Sequence, residues 1–219
     1  MKKGVFVTGN LFLIFLMIFL EITLKPSYWI KSLCKILLFL VPILLYSLWT
    51  KKDWKEVIGF HKLEKPASLF LPALFFYLII LAGYFLFQDR IDLSAIRASL
   101  LEKEHVTREN FLFVFSYITV CNSFLEEAYF CGFLYEQMKQ AGKTKAMLFS
   151  AFCFALYHTG IILTWFQPLI FLLAMLGLMA AGILLILVKN RYRSLKAGWL
   201  LHAMSNLAIN TIGVLLLFQ

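Results

Sequence analysis

Residues 122–137 read NSFLEEAYFCGFLYEQ, and the two adjacent carboxylates inside this mostly apolar run, Glu126 and Glu127, decide how the whole chain is read. A carboxylate near the centre of a bilayer costs about 2.5 to 3.5 kcal/mol even on lenient insertion scales, so one that stays there faces a cavity, a partner or a reaction. Glu126 and Glu127 are therefore the starting point for function.

The surrounding chain is 62% hydrophobic with 23 Phe and a mean hydropathy of +0.83, which points to one integral membrane domain over residues 1–219. Lys and Arg (21) outnumber Asp and Glu (12), but they cluster between apolar runs and not along one soluble face. They read as topology signals, and no nucleic-acid partner is expected. Cys34, Cys121, Cys131 and Cys153 lie in or beside apolar segments without C-x-x-C or zinc-like spacing, so they read as packed small residues.

Seven apolar runs follow one another. Met1-Lys2-Lys3 and the GVFVTGNLFLIFLMIFL after it resemble a signal peptide, but the small-residue cleavage pattern is missing and the apolar part is long, so this is read as a first span. The second runs from Cys34 to Trp49 and carries Pro42, which predicts a kink. The third opens at Pro66, the fourth covers Phe111 to Met138, the fifth Thr144 to Trp165, the sixth Phe166 to Lys189 and the seventh Leu195 to Phe218. Gly177, Ala180, Ala181 and Gly182 on the sixth favour close helix approach. Residues 51–65 suit an interfacial connection, and residues 89–110, with Ile91, Leu93, Ile96, Leu100 and Leu101 spaced for one face, suit a surface helix. With seven spans, twice as many Lys and Arg fall on the amino-terminal side as on the other, so the amino terminus is expected in the cytoplasm.

This topology places the polar residues by depth. At 1.5 Å per residue His202 lies roughly 10 Å from the inner end of its helix, and Asn206, Glu126, Glu127 and His158 roughly 15 to 20 Å from theirs. Three helices thus bring polar groups to one layer. His61 and His105 sit in connections and need no special role. For His158 or His202 alone a structural hydrogen bond is the better reading; their convergence with the glutamates reverses it.

Adjacent helical positions point about 100° apart, so Glu126 and Glu127 have different jobs, one facing the site and one supporting it. A carboxyl in a low-dielectric site beside a second one can exchange protons with water as a general base must. His202 and Asn206 share a helical face and can both donate to one oxyanion, so the chemistry that suits the set is water attack on an amide carbonyl. Tyr129 and Tyr157 can hydrogen-bond in the site, with aromatic packing the simpler role. A proton relay for transport is the competing use of such carboxylates, but no inverted repeat is evident.

Glu126-Glu127-Ala128-Tyr129-Phe130-Cys131, Phe154-Ala155-Leu156-Tyr157-His158 and His202-Ala203-Met204-Ser205-Asn206 follow one another on successive helices. In this order they resemble the CPBP intramembrane protease family, which contains type II CAAX prenyl endopeptidases and bacterial bacteriocin-processing or self-immunity proteins. The resemblance implies an all-α polytopic membrane bundle with a CAAX-protease-like core over residues 111–218, in a bacterial cell membrane. It implies that Glu126 and His158 polarise the attacking water, that His202 and Asn206 stabilise the oxyanion, and that Glu127 supports the site. The expected substrate is a membrane-associated protein or peptide. No metal is expected to be obligatory, although family members are often called metalloproteases and a divalent ion such as zinc is left open. The family pattern usually has Arg where this chain has Cys131; without it, Glu127 must be protonated, hydrogen-bonded elsewhere or repositioned. That departure favours the alternative of a non-catalytic scaffold or immunity protein. Cys131 as a nucleophile is the sharper alternative, but no nearby cation in the sequence activates it.

Overall fold

A computed structural model describes residues 3–24, 26–163 and 165–218. Nine helices organise them: α1 (Lys3–Phe19), α2 (Tyr28–Thr50), α3 (Trp54–Ile58), α4 (Phe70–Phe87), α5 (Leu93–Ala98), α6 (Phe111–Ala141), α7 (Lys143–Ile162), α8 (Pro168–Tyr192) and α9 (Leu195–Phe218). No strand occurs among the described residues. Seven of the helices (α1, α2, α4 and α6 to α9) are long and apolar enough to cross a membrane, and the protein is a multi-pass membrane protein. Lys2 and Lys25, counted in the charge balance, lie outside the described residues.

The main departure from the expected spans is at α2. It begins at Tyr28, not Cys34, and so takes Lys31 into the helix one turn before Lys35. Pro42 sits inside α2 without ending it. In the connection after α2, Val57 and Ile58 of the short helix α3 are buried against the bundle. A glycine makes room for them: a Cβ on Gly132 of α6 would stand 2.8 Å from the Ile58 Cβ.

Hydrogen bonds close each end of the bundle. On the side of α3, the Gly59 carbonyl accepts from the Leu195 amide at 2.9 Å and the His61 carbonyl from the Ser194 hydroxyl at 2.7 Å. On the opposite side residues 88–110 hold the expected surface helix in residues 93–103, its last turn widened. Their far end is fastened by Glu104, whose carboxylate accepts from Lys31 Nζ at 2.6 Å, and by Val106, packed with Val114, Phe115 and Leu217. Lys31 also reaches Glu21 at the end of α1, at 2.9 Å, so one ammonium joins three segments.

The helix α6 is not uniform. Two π-helical stretches, Ile118–Asn122 and Ala128–Leu134, flank the regular turn Ser123–Glu127 that carries both glutamates. A widened turn breaks the regular pattern of carbonyl bonding, and such turns recur at functional sites. Here α9 and its neighbours take up the carbonyls around the first one: Asn206 Nδ2 donates to Ile118 O at 3.1 Å, Asn210 Nδ2 to Phe115 O at 2.9 Å, and Trp199 Nε1 to Val120 O at 3.1 Å.

Candidate active site

The structure brings Glu126, His158 and His202 together from three helices. Glu126 on α6 is 2% exposed, and its Oε2 lies 3.7 Å from His158 Nε2 on α7 and 3.5 Å from His202 Nε2 on α9. His158 is oriented by its other ring nitrogen, since Nδ1 lies 2.8 Å from the Phe154 carbonyl. A carbonyl can only accept, so Nδ1 carries the proton and the neutral ring presents a lone pair at Nε2. The Phe154 ring packs on both imidazoles, with centroids 4.5 Å from His158 and 5.6 Å from His202.

The other oxygen of Glu126 is held by residues the sequence reading did not select. Lys35 Nζ on α2 donates to Glu126 Oε1 at 3.2 Å and to Asn122 Oδ1 at 2.6 Å, while Asn122 Nδ2 donates to Glu126 Oε1 at 3.0 Å. The carboxylate is thus divided: Oε1 is neutralised and fixed, and Oε2 faces the imidazoles. Lys35 lies at the edge of the second apolar run. The available signal was its i, i+4 spacing from Lys31 at the edge of an apolar run, which puts both on one helical face.

Glu127 is 1% exposed, and neither of its oxygens has a hydrogen-bond partner among the described residues. Its Oε2 lies 3.5 Å from His202 Nδ1, itself without a hydrogen bond, so the His202 ring stands between the two carboxylates. Gly198 on α9 permits this position, because a Cβ there would collide with Glu127 Oε1. Cys131, in the place of the expected arginine, is buried with Lys189 of α8 beside it. Lys189 Nζ donates to the Cys131 carbonyl at 2.9 Å and to Glu136 Oε1 at 2.5 Å.

Asn206 reaches this layer but spends its amide on the carbonyl of Ile118. Tyr129 donates to Asn10 Oδ1 at 2.7 Å, away from the glutamates, and stacks on Phe39 at 4.3 Å. His61 and His105 lie in the connections, as expected.

Among the described residues no group of three or more His, Cys, Asp or Glu side chains is arranged to hold an ion.

Neither the curated proteins nor the solved structures contain a significant match to this chain. Residues 108–208 do match a family model, that of the type II CAAX prenyl endopeptidase Rce1-like proteins. The matched segment contains all three motifs and every helix that brings a glutamate or histidine to the site.

Proposed function

We propose that the protein is an intramembrane endopeptidase that hydrolyses a peptide bond in a membrane-associated protein or peptide. The observation that carries this reading is the divided Glu126 carboxylate, one oxygen held by Lys35 and Asn122 and the other facing two imidazoles inside a membrane bundle. A water between Glu126 Oε2 and His158 Nε2 meets two acceptors, 3.7 Å apart, and can donate to both. Glu126 takes its proton as the oxygen attacks the carbonyl carbon, then returns it to the leaving amine. His202 faces the same point and stabilises the oxyanion, and Glu127 fixes the His202 ring from its far side. The match to a prenyl endopeptidase family supports a peptide substrate carrying a prenylated C-A-A-X box.

The test uses protein in lipid nanodiscs and a fluorescence-quenched farnesylated C-A-A-X peptide, with products identified by mass spectrometry. Wild type is expected to release the carboxy-terminal fragment, and Glu126→Gln and His158→Ala to lose that activity while remaining folded. Full cleavage by Glu126→Gln would sink the mechanism.

A second reading rests on Cys131 and on the neutralisation of Glu126 by Lys35. In this reading the bundle keeps the cavity of its family and binds a peptide without cutting it, as a bacteriocin self-immunity protein or scaffold would. Tight binding of the same peptide without cleavage is the result that selects it.

A further inference from the structure

We propose that the Tyr157 hydroxyl is a hydrogen-bond donor to the scissile carbonyl oxygen, acting where the motif resemblance places the Asn206 amide; this rests on the hydrolysis reading above. Tyr157 is 2% exposed, yet its hydroxyl has no hydrogen-bond partner among the described residues. That state is unusual, because a buried tyrosine hydroxyl normally finds a partner and costs free energy without one. Tyr129 in the same aromatic cluster shows the ordinary outcome, since its hydroxyl is bonded to Asn10.

The position of the ring explains what the hydroxyl is for. Tyr157 is edge-on to Phe39 at 5.3 Å and to the neighbouring His158 at 4.9 Å, so two sides of it belong to the core and the site. The Lys35 ammonium lies 5.1 Å over its face. The same lysine therefore neutralises the base and polarises the phenol. Asn206, by contrast, has one of its two amide hydrogens engaged by the widened turn of α6.

The step balances without any additional reagent. Water oxygen bonds to the carbonyl carbon, its proton passes to Glu126, and the carbonyl π pair moves onto oxygen, where Tyr157 O–H and His202 donate to it. Collapse restores the carbonyl and breaks the C–N bond, and the Glu126 proton passes to the departing nitrogen. Tyr157 stays protonated throughout.

Tyr157→Phe removes only an unbonded hydroxyl, which separates a catalytic from a packing role. A donor to the oxyanion is worth about 10² to 10³ in kcat. In the nanodisc assay, with rates taken per folded molecule, Tyr157→Phe is expected to lose about that factor with KM within about twofold. Its thermal midpoint is expected to equal or exceed that of wild type, because a buried unsatisfied group has been removed. Asn206→Ala is expected to lose less. Retention of kcat within twofold in Tyr157→Phe overturns the proposal, whatever the change in stability, and Glu126→Gln in the same series reports separately on the hydrolysis reading. A wild type that leaves the peptide intact removes the reaction assigned to the hydroxyl, and the proposal with it.

Discussion

Two lysines one helical turn apart on α2 enter two buried ionic clusters of opposite character. Lys31 makes short contacts with carboxylates from two other segments, 2.9 Å to Glu21 and 2.6 Å to Glu104, and it ties α1, α2 and the segment after α5 together. Lys35 holds one oxygen of Glu126 at 3.2 Å, in a site that contains buried polar atoms without hydrogen bonds among the described residues: both Glu127 oxygens, His202 Nδ1 and Tyr157 OH. The same residue type on the same face of one helix thus serves architecture at one level and chemistry at the next. What separates them is whether the surrounding polar groups are satisfied, since unsatisfied buried groups persist only where something beyond folding holds them.

The sharpest way to break this contrast is at Glu126. Glu126→Gln keeps the shape and loses the base, so its turnover is expected to fall by about 10² to 10⁴ while its fold survives. Next come the lysines themselves. Removing one partner of a buried pair costs about 3 to 5 kcal/mol, so Lys31→Met and Lys35→Met should both unfold more readily in detergent. Only Lys35→Met should also lose turnover per folded molecule; an equal loss in Lys31→Met would erase the distinction. The Lys35→Met/Glu126→Gln double variant is expected to recover stability without activity.

A smaller effect is expected at Gly198, where a methyl would displace Glu127 from beside His202 and approach the Leu185 carbonyl at 3.2 Å. Gly198→Ala should cost about 1 to 3 kcal/mol in stability and lower kcat more than it changes KM. The smallest lies outside the membrane, at Asp92, which caps α5. Hydrogen bonds from the Ser94 hydroxyl and the Ala95 amide hold its carboxyl below the usual carboxylate range. The folded form therefore favours the ionised cap: its stabilising contribution is complete above the unfolded carboxyl pKa and fades as pH falls through the folded one. Hydrogen exchange of residues 93–98 should quicken across that acid interval in wild type and lose this pH dependence in Asp92→Asn.

Much of this was legible in the residues. Long apolar runs bounded by basic clusters gave the seven spans, and equal depth on three helices brought Glu126, His158 and His202 to one point. Lys35 was hidden because a lysine at the end of an apolar run looks the same whether it reaches water or turns inward, and only the bundle supplies the carboxylate that turns it. The engagement of Asn206 was hidden for another reason. It depends on the widened turn at Ile118–Asn122, a backbone irregularity without a residue signature. Helical spacing places Asn206 on the face of His202, but not which of two acceptors its amide will choose.

The spacing of Lys31 and Lys35 has a mechanical side. Four residues of helix hold their backbone attachments about 6 Å apart along a stiff axis. The anchor of the 88–110 segment and the anchor of the Glu126 carboxylate are therefore mounted on one rod, so an axial shift of α2 moves both by the same amount.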